Sequence, residues 1–395
     1  MRTLKQIVAI TWLNLCTLRQ RLGSSAVIVI GIGGVVAVLV GTLAMASGMI
    51  ETLNRATSPE RVIVMSGGAA SEVTSFLSLD AARTIAEAES VRRDADDMPI
   101  ASFEVLRPVK VIRSNNGSEA SAILRGVGEK WQSVRPEIKI VAGRVFQPAL
   151  GEVIVGKALA SRFDNLQIGS QITSGGFTWE VVGVFTSNGD AHESEILGSA
   201  ATVMGAYQRH AYSSVTVSLK SPQDLEAFQR TLKDNTVLNV SVTREADYYA
   251  RQSATMTKVI SVVAYILGGI MGIGALFGAV NTMYSAVSVR SREIATLRAL
   301  GYGSGAMVTS VLIESMLLAL VGGLIGVFIA WWFVRGTTAS TATGDWGAQF
   351  VFGIDVTPAT MIVGLVWAAG IGLIGGLWPA VRAARLSVAT ALRAL

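Results

Sequence analysis

The stretch that decides the fold is residues 259–288, VISVVAYILGGIMGIGALFGAVNTMYSAVS, which contains no Asp, Glu, Lys or Arg. A helix of roughly 20 apolar residues crosses the hydrocarbon core of a bilayer. Three further runs are similar: residues 24–50 and 359–380 are uncharged, and residues 307–334 contain only Glu314. We therefore predict four transmembrane helices over these ranges.

The composition of the whole chain agrees with an integral membrane protein. Of its 395 residues, 15% are charged and 51% are hydrophobic, and the mean hydropathy is +0.49. That is too apolar for a soluble protein. The formal net charge is +5, but residues 51–258 hold 22 Lys and Arg against 24 Asp and Glu. The positive excess therefore flanks the membrane helices, where anionic lipid favours it, and no nucleic-acid partner is expected.

The distribution of basic residues predicts the orientation of the helices. Arginine or lysine exceeds Asp and Glu in residues 1–23, 289–306 and 381–395. By the positive-inside rule these segments are cytoplasmic, both termini included. The loop of residues 335–358 carries Asp345 and Asp355 but no basic residue after its first position, which suits the outside.

Residues 51–258 then form one extracytoplasmic insertion between the first two helices. The only cysteine, Cys16, lies on the cytoplasmic side, so this domain is held by its own core rather than by a disulfide.

Apolar periodicity predicts an α+β domain. Residues 244–266 contain neither Gly nor Pro, so the second membrane helix is expected to extend outward as a stalk. The predicted elements are strands at 61–67 and 213–220, hairpins over 109–124 (turning at Asn116–Gly117) and 170–185, a strand followed by a helix over 151–163, and helices at 78–91 and 221–234.

Two patterns concern the membrane itself. In residues 1–23 apolar side chains recur every three or four positions with basic residues mostly to one side, which predicts an amphipathic helix on lipid at the cytoplasmic interface. Glycines four residues apart in the membrane helices predict close helix packing. These pairs are Gly268 and Gly272, Gly274 and Gly278, Gly322 and Gly326, and Gly372 and Gly376.

The cytoplasmic segment of residues 289–306 is unusually ordered for a loop. It predicts a short helix with an apolar side, a charged side and a glycine cap. Glu314, about seven residues into the third span, is expected to face the bundle or pair with an arginine of this segment such as Arg298; a role in signal transfer is the alternative. The apolar side consists of Val289, Ile294, Leu297 and Leu300, the charged side of Arg290, Arg292, Glu293 and Arg298, and the cap of Gly301.

The stretch GEVIVGKALA, residues 151–160, has the glycine and lysine spacing of a phosphate-binding loop. Ala158 stands where a magnesium-binding hydroxyl is required, and the intervening residues form a β-rich run with Glu152 among them. The segment is also predicted to lie on the side of the membrane without ATP. We therefore interpret it as a strand, a turn and a helix.

The two histidines do not indicate a metal site or a catalytic site. Around His192 the sequence NGDAHESE contains Asp190, Glu193 and Glu195 as potential hard ligands, but no second His or Cys has a zinc-like spacing, so a solvated polar loop is the favoured interpretation. No Ser, His and carboxylate set supports nucleophilic catalysis. We therefore expect no catalytic residues, no metal and no cofactor in this chain, and disfavour a membrane-bound ectoenzyme.

Several motifs resemble those of a known family. SREIATLRALGYGSGAMVTSVLIESMLLALVGGLIG (291–326) and WPAVRAARLSVATALRAL (378–395) closely resemble the membrane domain of MacB/FtsX-type ABC permeases. The stretches GRVF, GEVIVGKALASRF and IGSQITSGGFTWEVVGVF are similar to the MacB-like periplasmic core domain. The resemblance covers most of the chain.

This resemblance implies a permease subunit of an ABC complex in the bacterial inner membrane. The segment Ser288 to Gly301, with Arg290, Arg292, Glu293, Ile294, Leu297, Arg298 and Gly301, would contact a cytosolic ATPase that is expected to be a separate polypeptide binding ATP and Mg²⁺. Two ATPase copies, a permease homodimer and a periplasmic adaptor are implied partners. The implied function is export or extraction of an amphiphilic or peptide-like substrate by mechanotransmission. The alternative is an FtsX-like subunit that transports nothing and regulates a cell-wall hydrolase.

Overall fold

The computed structural model describes residues 6–12, 22–55, 58–112, 119–340 and 351–385. The predicted turn at Asn116–Gly117, most of the interfacial helix, Cys16, Asp345 and the end of the C-terminal tail lie outside these residues. The chain divides into two compact units. A helical unit comprises Met1–Gly48, Met256–Thr337 and Ile354–Leu395, and a sheet unit comprises Met49–Thr255 and Thr338–Gly353.

The described elements follow one another in a simple order. Residues 6–12 are helical. The further helices are α1 (Leu22–Arg55), α2 (Leu79–Ala86), α3 (Trp131–Val134), α4 (Lys157–Ala160), α5 (Ala200–Ala206), α6 (Leu225–Asp234), α7 (Glu245–Val289), α8 (Ser291–Ala299), α9 (Ser304–Val334) and α10 (Pro358–Arg385). The strands are β1 (Arg61–Ser66), β2 (Ala101–Ile112), β3 (Glu119–Val127), β4 (Lys139–Gly143), β5 (Glu152–Gly156), β6 (Gln171–Ser174), β7 (Phe177–Thr186), β8 (Glu195–Ser199), β9 (Ser214–Ser218), β10 (Val240–Arg244), β11 (Thr338–Ser340) and β12 (Val351–Gly353).

Four of the helices are long and apolar enough to cross a membrane, as the sequence predicts. The candidate spans are Ser25–Arg55 in α1, Thr257–Val289 in α7, Ser304–Val334 in α9 and Pro358–Arg385 in α10. The second span belongs to a helix of 45 residues that begins at Glu245. Of the stretch from Arg244 to Ile266, Arg244 ends β10 and the rest forms helix, because it lacks the glycine and proline that would interrupt one.

Glycine explains how the helices of the helical unit approach one another. A Cβ on Gly326 of α9 would lie 2.4 Å from the carbonyl oxygen of Gly33 in α1, and one on Gly372 of α10 would lie 2.4 Å from Cβ of Ala319 in α9. Only residues without side chains allow such contacts. Gly274 and Gly278 differ, since a Cβ at either meets no described atom within 4 Å.

The sheet unit is built on one mixed sheet of ten strands. The strand order is β10-β1-β9-β2-β3-β8-β5-β7-β4, with β6 paired to β7. The pairs β3–β8 and β5–β7 are parallel, and the others are antiparallel. The predicted hairpin of residues 170–185 turns at Gly175 and Gly176, which have φ of +66° and +72°. Such a turn requires positive φ at both central residues, which glycine adopts without strain.

Strand β2 joins two halves of this sheet. Its first residues, 101–104, pair with β9, and residues 105–112 pair with β3. Apolar clusters pack against the sheet: one lies under β1 and β9 with Phe228 of α6, one under β3, β5 and β8 with Trp179, and another contains Trp131 and Phe185. Glu104 is the last β2 residue paired with β9, so it lies where the sheet passes from one half to the other.

One predicted helix is shorter than expected. Residues 78–91 were expected to be helical, but α2 ends at Ala86. Val91 instead forms an isolated β-bridge with Leu219 and is 1% exposed. The apolar pattern extends beyond the helix because Val91 is buried against the sheet. Periodicity alone does not distinguish an apolar residue buried by a helix face from one buried by strand pairing.

We predict that Gly326→Ala destabilises the helical unit by about 1–3 kcal/mol, because overpacking a close contact forces the backbones apart. The matched control is Gly34→Ala on α1, where an added Cβ meets no described atom within 4 Å. Thermal unfolding of the purified full chain in detergent measures both. An equal transition temperature for the two variants would contradict the close packing of α1 against α9.

Candidate functional site

Helix α8 is the short helix that the sequence predicts between the second and third spans. It spans Ser291–Ala299. Gly301, at φ +90°, ends it: its N–H donates to the carbonyl of Arg298 at 3.0 Å, and the N–H of Tyr302 donates to that of Leu297 at 3.1 Å. These two hydrogen bonds define the Schellman motif. The predicted glycine cap is therefore present.

The faces of α8 differ in part from the prediction. Ile294 is buried and Leu297 is half-buried, whereas Arg292 and Glu293 are exposed. The apolar side does not extend to both predicted ends, since Val289 and Leu300 are 75% and 73% exposed. Val289 ends α7 and Leu300 caps α8, so neither follows the periodicity of the short helix between them.

The charged residue inside the third span forms a buried ion pair. Glu314 was expected to face the bundle or pair with an arginine of the segment before the third span, and its carboxylate accepts a hydrogen bond from Arg290 of that segment at 3.0 Å. Both side chains are nearly inaccessible, at 6% and 7% exposed. Arg290 directly precedes α8, so it points into the helical unit instead of belonging to an exposed charged side.

A cavity of about 20 Å³ lies beside this ion pair. Its lining includes Ile10, Met283, Arg290, Glu293, Ile294 and Glu314. A volume of this size holds about one water molecule. The buried ion pair between Arg290 and Glu314 therefore connects the start of α8 to α9.

We predict that Glu314→Leu destabilises the helical unit by about 3–5 kcal/mol, because the buried Arg290 guanidinium loses this carboxylate. The double variant Glu314→Leu with Arg290→Met should recover most of the loss, since no charge is then buried at this point. A double-mutant cycle of thermal unfolding in detergent tests the coupling. Additive effects of the two substitutions would contradict it.

A second concentration of buried charge occupies the sheet unit and centres on Arg125 of β3. Its guanidinium donates to Glu72 at 3.0 Å, to Glu104 at 2.6 Å and to Glu195 at 2.7 Å and 2.8 Å. Arg125 is 1% exposed and Glu104 is 0% exposed. Three carboxylates from separate parts of the chain therefore converge on one cation.

Two further arginines extend this cluster to the start of α7. Arg135 donates to Glu104 and, at 3.3 Å, to Glu245. Arg61 donates to Glu245 at 2.9 Å and to both oxygens of Glu137 at 2.7 Å and 3.0 Å. We call these residues, with His192, the buried charge network.

The network fixes the first turns of α7 in the sheet unit. Glu245, the first residue of the helix, is fully buried, and the adjoining arginines hold its pKa at about 2 against the opposing effect of burial. The hydroxyl of Tyr248 accepts a hydrogen bond from the N–H of Glu72 at 3.2 Å. Tyr249 packs edge-on against His192, with ring centroids 6.0 Å apart.

The predicted solvated loop around His192 is wrong. His192 is 0% exposed and lies 3.0 Å from Glu195. Asp190 accepts from the N–H of His192 at 2.8 Å, and Glu193 accepts from the N–H of Gly189 at 2.8 Å. These polar residues face inward because they satisfy backbone and ionic partners. Across the described residues no group of three or more His, Cys, Asp or Glu could hold a metal.

The segment that resembles a phosphate-binding loop has a packing explanation. It forms strand β5 followed by α4, as predicted. Both carboxylate oxygens of Glu152 accept from Arg144 at 2.5 Å. A Cβ on Gly156 would lie 2.1 Å from the carbonyl oxygen of Glu193. Glycine is therefore needed at this position because the backbone at Glu193 passes too close for any side chain. Lys157 is exposed.

The sequence did not reveal the buried charge network, although it contains a signal for it. Glu104 lies in the strand-forming run ASFEVL, and Arg125 lies in AILRGV. A charge inside an apolar run is rarely buried unless it is paired. Which charges pair depends on residues from 61 to 245 meeting in space, which local patterns do not predict.

We predict that the sheet unit loses stability as the pH rises from 7 to about 9. Burial alone would lower the pKa of His192, but Glu195 and Glu245 outweigh it and raise the pKa to about 9. The stabilisation is complete below about pH 6.5, the pKa of an unfolded histidine, and disappears as the pH passes the folded value, a loss of about 3 kcal/mol.

Chemical denaturation of the full chain as a function of pH measures this effect. His192→Gln should remove most of the slope, while the matched variant His210→Gln, at the only other histidine, should keep it. A wild-type stability that is flat between pH 7 and 9 would mean that His192 is neutral in the folded protein.

Four membrane-length helices with a mixed-sheet domain inserted after the first define a multi-pass membrane protein with one large inserted domain. Residues 25–235 match the family of MacB-like periplasmic core domains, and residues 257–388 match the FtsX-like permease C-terminal family. The chain belongs to the MacB/FtsX family of ABC transporter permeases, in agreement with the resemblance seen in its sequence motifs.

Named relatives agree with this family. The ABC transporter permease YknZ of Bacillus subtilis (strain 168) is 26% identical over 332 residues, covering 78% of this chain and 80% of YknZ. The macrolide export ATP-binding/permease protein MacB of Hyphomonas neptunium (strain ATCC 15444) is 24% identical over 393 residues, covering 92% of this chain and 57% of that protein. The chain therefore spans little more than half the length of that MacB protein. The crystal structure of the periplasmic region of MacB from Actinobacillus actinomycetemcomitans matches 51% of this chain and 95% of its own, with 15% identity and a TM-score of 0.38.

Proposed function

We propose that this chain is the membrane subunit of an ABC complex that couples ATP hydrolysis in a cytosolic ATPase to a conformational change of the sheet unit. The result is export or extraction of an amphiphilic or peptide-like substrate. The observation that carries the proposal is the continuity of α7. This helix begins at Glu245 in the buried charge network and ends at Val289, immediately before Arg290 and α8. A displacement of α8 is therefore passed along one helix to the network.

Both ends of this helix are suited to transmitting force. Arg290 is joined to Glu314 of α9, and Glu245 is joined to Arg61 and Arg135. Separating a buried ion pair leaves an uncompensated charge, at a cost of about 3–5 kcal/mol. Each end of α7 therefore moves with its ionic partners rather than sliding past them.

The short loop between α9 and α10 supports the proposed topology. Its strands β11 and β12 belong to the sheet unit, where Val351 exchanges hydrogen bonds with Ser194 Oγ at 3.0 Å and 3.3 Å. Val351 and Phe352 are buried. A loop after the third span and a domain after the first meet most simply on one side of the membrane. The positive-inside rule makes that side extracytoplasmic and both termini cytoplasmic, in the bacterial inner membrane.

The proposed complex contains two copies of the ATPase, which bind ATP and Mg²⁺, a second copy of this permease, and a periplasmic adaptor, all in contact with membrane lipid. The α7 span supports the homodimer. In its most apolar stretch only 17% is buried within the chain, whereas the corresponding share in the other three candidate spans is 33–44%. Its open glycines, Gly274 and Gly278, allow the close approach of another helix.

The same path along α7 also serves an FtsX-like mechanotransducer that regulates an extracytoplasmic hydrolase and moves no substrate. The two functions differ in what associates with the sheet unit. Purification of the intact complex from its native membrane, with identification of every bound protein, distinguishes them. Recovery of a cell-wall hydrolase would identify the mechanotransducer, and an adaptor with substrate-stimulated ATP turnover would identify the transporter.

We predict that Glu293→Lys and Arg292→Glu each weaken association with the ATPase at least tenfold. Both residues are exposed on α8, where a reversed charge at an interface costs several kcal/mol and about 1.4 kcal/mol corresponds to tenfold in affinity. The measurement is the amount of co-purified ATPase and its ATP turnover when each variant is expressed with the ATPase.

The control is Glu119→Lys, an exposed reversal in the sheet unit where Glu119 pairs with Lys110. It should leave association and turnover unchanged. Membrane insertion should be normal in all three variants, since none of these residues lies in a candidate span. Full association of both α8 variants would show that α8 is not the docking element.

A further inference from the structure

A groove of about 370 Å³ lies on the sheet unit, apart from the buried charge network. Its lining includes Phe76, Arg107, Tyr207, Arg209 and His210. Arg107 belongs to β2, and Tyr207 caps the end of α5. Phe76 is 62% exposed, so the groove has an aromatic rim open to solvent.

Arg209 forms the floor of this groove. It is 8% exposed, and it donates through Nε to the carbonyl of Ala211 at 2.8 Å and through Nη2 to the carbonyl of Ser75. Its Nη1 is buried and has no hydrogen-bond partner among the described residues. The guanidinium lies under the ring of Phe76, 4.5 Å from the ring centroid.

Arg107 adds a second positive charge. Its guanidinium lies over the ring of Tyr207, 5.0 Å from the centroid, and its buried Nε also finds no partner in the described part of the chain. The pKa of Arg209 is lowered first by burial and then by the charge of Arg107. No carboxylate contributes to that shift.

This arrangement is unlike the rest of the molecule. Each of the other buried arginines in the described residues, Arg61, Arg125, Arg135 and Arg290, is bonded to at least one carboxylate. Burying a cation without an anion is unfavourable, and proteins normally pair such groups. Two neighbouring guanidiniums without a carboxylate are therefore suited to an anion, and the rings beside them provide an apolar contact.

We propose that this groove binds an acidic peptide segment of a partner protein, with a carboxylate bridging Arg107 and Arg209 and a neighbouring apolar side chain against Phe76 and Tyr207. A carboxylate fits because its two oxygens can accept from Nη1 of Arg209 and from the guanidinium of Arg107. Since Nη1 is buried and the Arg209 guanidinium lies under the Phe76 ring, binding of the carboxylate requires this exposed ring to turn aside.

A peptide fits the groove better than a free small molecule. Small-molecule sites enclose most of the ligand surface, whereas this groove is open along its aromatic rim. A peptide gains further contacts from the protein around the groove, and the guanidiniums then select its acidic residue. Binding is measured on this chain alone, so the outcome does not depend on ATPase coupling or transport.

The test uses the full chain in lipid nanodiscs and a dye-labelled peptide of sequence Gly-Asp-Phe-Asp-Phe-Gly, with fluorescence anisotropy as the readout. The matched peptide carries Asn in place of both Asp residues. The acidic peptide should bind about tenfold more tightly than the amide peptide, because a hydrogen bond to a charged group is worth at least that factor. Arg107→Gln should lose that preference, and Phe76→Ala should weaken binding of both peptides, while Arg230→Gln, an exposed arginine of α6, should leave both unchanged.

Several outcomes would overturn the proposal. These are no binding of the acidic peptide up to millimolar concentration, equal binding of the two peptides, or full binding by a correctly folded Arg107→Gln variant. The side chain of Arg107 contacts the Tyr207 ring and forms no hydrogen bond with the described residues, so its replacement should leave the backbone pairing of β2 with β3 intact. Phenylacetate and inorganic phosphate serve as competitors. Displacement of the peptide by either at equal concentration would assign the site to a small anion instead.

Discussion

The structure of the sheet unit depends on the pairing of charges that have been removed from water. Arg125 holds three carboxylates, and Arg135 and Arg61 continue the chain of ion pairs to Glu245. Isolated charges are very unfavourable in such an interior, so each of these groups fixes the position of the next. Glu104 lies where β2 passes between the two halves of the sheet, and the network therefore specifies how those halves meet.

The same principle recurs in the helical unit on a smaller scale. Arg290 and Glu314 form a buried ion pair where α7, α8 and α9 meet, beside a cluster of apolar side chains. The two ends of α7 are thus specified by charge, whereas its membrane span is specified by apolarity. A helix that is held firmly at both ends and is continuous between them is suited to carrying motion, which is the basis of the proposed coupling.

Arg209 differs from the other buried arginines of the described residues because it has no carboxylate partner there. Elsewhere the chain supplies its own carboxylates to buried arginines, and at this place it supplies aromatic rings. An unneutralised pair of guanidiniums at an open surface is most simply understood as half of an interaction. The sheet unit therefore has one charged feature that maintains its own fold and another whose partner lies outside the chain.

The sequence by itself determined the four membrane helices, the continuity of the stalk in α7, the glycine cap of α8 and most strands and helices of the sheet unit. These features follow from local periodicity, from runs without charge and from the conformational demands of glycine and proline. Only the tertiary structure decided that Arg290 pairs with Glu314, that α2 ends at Ala86, and that His192 is buried among ions. The physical reason is that an ion pair joins residues far apart in the chain: a sequence shows that a charge exists, but its partner depends on which strands and helices meet.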